Sequence, residues 1–255
     1  MEQQRPADMT EIYALRADTI DYFFPDRTKE INFWAKLAGK YGEDVLHLMC
    51  GTGEVAVGLA KKGFRVTGVD LTKCMAYKAI SRGEREGVSD KIDVFQEDVR
   101  FFNLKKKFDF IFISTGDFHH FLEKEDILSV LAKCYAHLKP QGALAIELFH
   151  MPDEAFKRPE KKFGPLRDTP DDMKLWKRNS TSYHPENHLL EIRERLHVQE
   201  GSDITKGEYV IQLRLFTENE IGGLLSKAGF DCIKKYGEKS DYLDEANSWV
   251  ILSLK

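Results

Sequence analysis

The chain has 255 residues, a formal net charge of −4, and 42% hydrophobic and 11% aromatic residues, enough for one substantial core without obligatory division. That near-balanced charge gives no global attraction to nucleic acid or to a membrane surface, and a polar start, "MEQQRPADMT", with no apolar run of spanning length makes a reducing cytoplasm the expected address. Four dispersed cysteines, Cys50, Cys74, Cys134 and Cys232, form no C-x-x-C pair and read as buried thiols rather than as disulfides or a metal site.

In chain order, a helical N-terminal segment carries Tyr13 and Tyr22. Apolar β-branched runs then alternate with helix-period segments, the pattern of an α/β, doubly wound, mostly parallel sheet with helices on both faces. Strands are predicted at Asp44 to Leu48, Phe64 to Val69, Ile92 to Gln96, Phe108 to Ser114 and Ala143 to Leu148, with helices at Glu54 to Lys62 and Cys74 to Glu86. A further helix is predicted in "EKEDILSVLAKCYAHLKPQG", whose stripe of Ile127, Val130, Leu131, Cys134 and Leu138 stops before Pro140 and Gly142.

After His150 the rhythm changes. "MPDEAFKRPEKKFGPLRDTPDD", with four prolines, reads as a long excursion, and "KLWKRNSTSY", "HLLEIRERLHV" and "YVIQLRLF" read as antiparallel strands. The basic cluster between Lys157 and Arg178 reads as a solvated face. Thr217 and Glu220 form a capping box for a last helix ending at Gly229, before strands at Asp231 to Tyr236 and Trp249 to Leu254. The expected organisation is one domain over 1–255, with residues 1–40 as a helical cover and 151–215 as a substrate-lid insertion.

The stretch "DVLHLMCGTGEVAVGLAKKGFRVTGVDLT" carries the chemistry. In an open α/β sheet the first strand-to-helix turn is the closest backbone approach to a ligand lying across the strand ends. Gly51 and Gly53 remove the Cβ atoms that would hold such a ligand away, and Asp70, at the end of the second strand, can accept both hydroxyls of a ribose. "GTGEVA" also satisfies G-x-G-x-x-A, so this segment alone leaves a nicotinamide dinucleotide open. Asp98, past the third strand, can bond an adenine edge with its side chain and the following amide. A small polar run, "STGDFHH", ends the fourth strand.

Gly51, Gly53, Asp70, Asp98 and the "STGDFHH" run, in that order, together resemble the class I S-adenosylmethionine-dependent methyltransferases, and the closing "LFTENEIGGLLSKAGFDCIKKYG" is similar to that family's terminal helix and strand pair. The resemblance implies a seven-stranded Rossmann-like sheet with an inserted antiparallel last strand. It places Cys50, Gly51 and Gly53 by the methionine part of S-adenosylmethionine, Asp70 at the ribose, Leu71, Asp98 and Val99 at the adenine, and Ser114 beside the sulfonium. Two positions depart from the family's pattern: His47 stands where an aspartate is usual, and Met49 where the first glycine is usual. His47 by itself reads as a partly buried histidine satisfied by a neighbouring backbone group.

No Asn/Asp-Pro-Pro-aromatic run, Pro-Cys nucleophile or metal-binding aspartate set of the related subclasses is found, which leaves transfer to a nitrogen or oxygen of a small molecule. The layout resembles the branch of aminosugar N,N-dimethyltransferases, with Tyr13 and Tyr22 as substrate-binding candidates. In that branch the fourth-strand loop reads Ser-Ser-Ile-Gly-His; here Asp117, His119 and His120 are the catalytic candidates, His119 foremost as general base because it stands nearer the strand end. A small-molecule acceptor, no nucleic acid, no membrane, no metal, and a monomer or homodimer are expected. The alternatives are an NAD(P)-dependent oxidoreductase and a non-catalytic S-adenosylmethionine-binding protein.

Overall fold

The computed structural model describes residues 6–24, 26–149, 161–168, 173–236 and 248–255. The chain divides into two compact units, one from Met1–Pro25 and Met151–Leu215, the other from Asp26–His150 and Phe216–Lys255. In chain order the elements are α1 (Pro6–Phe23), α2 (Thr28–Ala38), β1 (Asp44–Leu48), α3 (Glu54–Lys61), β2 (Arg65–Asp70), α4 (Lys73–Arg85), β3 (Ile92–Gln96), β4 (Phe108–Ile113), a 3-10 turn (Asp117–His120), α5 (Lys124–His137) and β5 (Leu138–Phe149). There follow β6 (Lys161–Asp168), β7 (Lys174–His184), β8 (Leu189–Glu200), β9 (Asp203–Arg214), α6 (Glu218–Lys227), β10 (Asp231–Tyr236) and β11 (Ser248–Leu254).

The larger unit is a seven-stranded sheet in the order β10-β11-β5-β4-β1-β2-β3. β1 to β5 run parallel, while β11 lies antiparallel to both β5 and β10. This is the doubly wound sheet with an inserted antiparallel strand that was expected from the sequence. Strand order reverses beside β1, so the β1 and β4 ends flank the crevice where such sheets bind ligands.

The period of two along each strand sorts side chains to two cores. Leu46, Leu48, Ile111, Ile113, Ile146 and Leu148 face α5 and α6, burying Ile127, Leu131, Ile221 and Leu225. Val45, Phe110, Phe112, Ala143 and Ala145 face α2 and α3, burying Trp34, Leu37 and Val57. Each fully buried large aliphatic side chain stabilises by about 1.5–3 kcal/mol, so these two faces hold the site's framework rigid. α2, grouped by sequence with the N-terminal cover, lies in this larger unit, where Ile31 sits so close to Gly58 that a Cβ there would come within 2.6 Å of it.

Several boundaries shift by a residue or two, β9 starts at Asp203, ahead of the predicted Tyr209, and two differences have a clear cause. Leu138, placed on the helical stripe, opens β5 and pairs with Phe108; its ψ of 142° is extended. Pro140 disfavours a helical Lys139 and cannot donate to a continuing helix, so the chain turns into the strand at once. The proline-rich excursion contains a strand, β6, which pairs with β7 through an irregularity between Phe163 and Arg167, where the Gly164-Pro165 pair stands. Thr217 caps α6 as expected, its hydroxyl accepting from the Glu220 amide at 3.2 Å.

The smaller unit is α1 with an antiparallel sheet in the order β6-β7-β8-β9. Leu175, Leu196 and Val198 are buried, with Leu15, Tyr22 and Phe23 against them. Its inward face is not wholly apolar. Lys177, expected on a solvated face, is 15% exposed, pairs with buried Glu194 at 3.2 Å and lies over the Phe23 ring. No described helix is long and apolar enough to cross a membrane.

Candidate functional site

The turn after β1 is built from backbone rather than side chains. Met49, Gly51 and Gly53 have φ of 58°, 55° and 78°, a left-handed conformation that costs an L-residue about 1–2 kcal/mol. The Cys50 amide donates to Val69 O (3.0 Å), the Gly53 amide to Cys50 O (3.1 Å), and Gly53 O accepts the first bond of α3 from Val57. The two glycines are bare for different reasons. A Cβ at Gly53 would stand 2.6 Å from the Ala79 Cβ, so its bareness lets α3 and α4 approach; a Cβ at Gly51 would meet no atom of the described residues within 4 Å.

Asp70 is oriented before any ligand arrives. Its Oδ2 accepts from the Gly51 amide at 2.9 Å, and its Oδ1 from the Thr72 amide (3.0 Å) and hydroxyl (2.9 Å). A carboxylate offers about four acceptor positions, so one, on Oδ2, remains. The Cys50 thiol is buried and donates weakly to Gly51 O at 3.9 Å; burial together with neighbouring Asp70 pushes its pKa well up. Cys50, Cys74 and Cys134 are free thiols, Cys74 only half-buried; the Cys232 side chain lies outside the described residues.

Beyond the ends of β2 and β3, Leu71 is 61% and Phe101 64% exposed, Phe101 with the Arg100 guanidinium over its ring; exposed apolar side chains of this kind suit the face of a planar base. Asp98 is committed to structure. Arg100 grips its carboxylate through Nε and Nη2, at 3.0 Å to Oδ1 and 2.6 Å to Oδ2, and also pairs with Asp126 at 3.0 Å. The Arg100 hydrogen bonds hold the Asp98 carboxyl below its ordinary pKa. The Val99 side chain is in the core.

After β4 the chain turns sharply, with Thr115 at φ 56° and Gly116 at φ 72°. The Thr115 amide donates to Glu147 Oε2 at 2.7 Å, and the Thr115 hydroxyl to Asp117 Oδ2 at 3.0 Å. Glu147 is 7% exposed on β5. Sequence reasoning missed it, although a lone carboxylate inside "ALAIELF" was a signal. A Cβ on Gly116 would strike the Phe149 ring at 2.6 Å.

His119 is fully buried; its Nε2 accepts the Phe149 amide at 3.0 Å, and its ring lies against Phe149 and Phe216. A ring nitrogen filled by a backbone amide is not placed to take a proton from an acceptor. Phe118 and Phe121 are buried beside it, while Asp117 and His120 are half-buried. Ser114 is 2% exposed and contacts His47 through Oγ and Nε2 at 3.1 Å. His47 is thus satisfied by a side chain, not by the backbone group expected. Tyr22 packs in the smaller unit's core; the Tyr13 side chain lies outside the described residues.

The fold and turn agree with the comparisons. Residues 45–142 match the model of a methyltransferase domain. A methyltransferase-family protein of Geobacillus sp. (strain WCH70) is 33% identical over 121 residues, 46% of this chain and 48% of that protein. The chain therefore spans about half the length of that relative. YqeM, of the same kind, from Bacillus subtilis (strain 168), is 26% identical over 207 residues, 80% of each chain. Among solved structures, the sugar N-methyltransferase KedS8 from Streptoalloteichus sp. ATCC 53650 superposes with a TM-score of 0.75 at 17% identity, covering 92% of both chains; that likeness is one of fold.

Proposed function

We propose that this chain, a class I S-adenosylmethionine-dependent methyltransferase by its domain and fold, transfers a methyl group to a nitrogen of a small hydroxylated amine. The observation that carries the reading is the Gly51 backbone, open on its Cβ side and tied to Asp70. It fits a nucleoside-bearing cofactor: a bare strand-end backbone, one remaining carboxylate lone pair on Asp70 and an exposed apolar side chain, Leu71, directly after it. A nicotinamide oxidoreductase is not favoured, since the matched domain is that of methyltransferases.

When bound, S-adenosylmethionine supplies an activated methyl on its sulfonium. The protein's tasks are then to align the acceptor, exclude water and dispose of one proton. Asp70 holds the ribose side, Leu71 and the Asp98–Val99 backbone the base, and Gly51 admits the amino-acid end. Asp117 and His120, half-buried on the 3-10 turn, carry the proton-taking role, which an amine that arrives neutral does not require. His119 keeps the turn against β5. The nitrogen acceptor is the reading that KedS8, a sugar N-methyltransferase, favours.

The test is transfer of labelled methyl from S-adenosylmethionine to aminosugars, peptide amines and phenols offered in parallel. Label in an amine, lost with Asp70→Ala, supports the reading. Label in phenols alone moves the acceptor to oxygen, and binding without transfer to any pool leaves a non-catalytic protein.

A further inference from the structure

His47 stands in register with Phe112 on neighbouring β4, so Ser114, two residues beyond Phe112, faces the same side of the sheet. The ring is 2% exposed and stacks on Phe112 with centroids 4.1 Å apart and planes 12° apart. Its Nε2 lies 3.1 Å from Ser114 Oγ, whereas Nδ1 is buried without a hydrogen-bond partner among the described residues. A phenylalanine would keep the stack and remove an unpaired nitrogen, a defect worth about 1–3 kcal/mol. Packing alone therefore gives no reason for an imidazole here; the contact with Ser114 does.

The unpaired nitrogen fixes the direction of that contact. An orphaned buried N–H is the rarer defect, so Nδ1 is the bare acceptor and Nε2 carries the proton. Burial, with the charge of Arg27, depresses the ring's pKa to about 3, keeping it neutral. Nε2–H then donates to Ser114 Oγ, and the serine's own proton points elsewhere. Met49, two residues along, holds its left-handed φ of 58° at the same strand end. Both departures from the family pattern fall at one end of the site.

We propose that His47 is a positioning residue for the cofactor: by donating to Ser114 Oγ it commits the serine hydroxyl as a donor to the amino-acid end of S-adenosylmethionine, where the carboxylate accepts. This rests on the reading of the Gly51–Asp70 turn as the cofactor site.

The test is calorimetric titration of S-adenosylhomocysteine and of 5′-methylthioadenosine, which lacks the amino-acid end, into wild type, His47→Phe, His47→Gln and Asp70→Ala. His47→Phe should bind S-adenosylhomocysteine on the order of tenfold more weakly and methylthioadenosine as wild type does, with a melting temperature no lower. His47→Gln, which restores a donor near the Nε2 position, should recover most of the loss and serves if the phenylalanine variant does not fold. Unchanged S-adenosylhomocysteine affinity in both His47 variants, or equal losses for the two ligands, overturns the role of His47. If Asp70→Ala also leaves both affinities unchanged, the cofactor-site reading itself has failed.

Discussion

The carboxylate of Asp70 holds the backbone of Gly51: Oδ2 accepts the glycine amide at 2.9 Å and so locks the end of β2 to the turn after β1. Removing it should act twice. Asp70→Ala should weaken S-adenosylhomocysteine binding by about 1.5–3 kcal/mol, one charge-assisted bond to the ribose, and should also loosen the turn by freeing the Gly51 and Thr72 amides. Calorimetry beside urea denaturation separates the two effects. Asp70→Asn, which keeps one acceptor oxygen, should fall between.

The two glycines of the turn should separate in the same pair of measurements. Gly53→Ala drives a methyl into Ala79, 2.6 Å from its Cβ, at a left-handed residue, and should cost about 2–4 kcal/mol of stability. Gly51→Ala meets no atom of the described residues within 4 Å and should cost about 1–2 kcal/mol through its φ alone. Its larger effect should be on cofactor affinity. Equal stability losses with unchanged affinity would remove the distinction.

His119 was the foremost catalytic residue by sequence, and its buried Nε2 bonded to the Phe149 amide gives a different expectation. His119→Ala opens a cavity and orphans that amide, so it should destabilise the fold by about 2–4 kcal/mol. The pH profile of turnover should keep its shape in the folded fraction. His120→Ala should instead lower turnover with little loss of stability, and a rise in pH should restore part of the rate.

Acid should find the opposite end of the sheet. Asp44, its side chain 13% exposed, lies 2.9 Å from Arg65 Nε, 2.8 Å from Lys139 Nζ and 3.2 Å from Lys106 Nζ. The Arg65 hydrogen bond, then those of Lys139 and Lys106, outweigh partial burial and hold its folded pKa below the ordinary value. A depressed folded pKa stabilises above the unfolded value, about 4, and that stabilisation is lost as pH falls toward the folded pKa. The stability gap between wild type and Asp44→Asn, on the order of 1–3 kcal/mol at pH 7, should therefore narrow below about pH 4. A gap constant from pH 7 to pH 2 would contradict it.

What was legible in the sequence was whatever periodicity and turn chemistry encode locally. β1, β3 and β10 fall at the predicted residues, and the cap at Thr217 follows from a pattern within a few residues, whereas the seven-stranded sheet with its inserted β11 was expected only from the family resemblance. Leu138 was misplaced because its apolar side chain fits the helical stripe and the strand equally, and only Pro140 decides. β6 was hidden because its Gly164-Pro165 irregularity looks like loop. At the site, Gly51 and Asp70 were legible as residue types, but not that three donors already hold the carboxylate. His47 with Ser114 and Thr115 with Glu147 are separated by 67 and 32 residues, and only the pairing of β1, β4 and β5 brings them together.

The most direct test of the account is a calorimetric and thermal-shift comparison of S-adenosylhomocysteine with NAD on the full chain. Only a ligand of the native state raises its melting temperature. The account predicts saturable S-adenosylhomocysteine binding with a rise in melting temperature, weakened by Asp70→Ala, and no shift with NAD. Stabilisation by NAD with none by S-adenosylhomocysteine would contradict it.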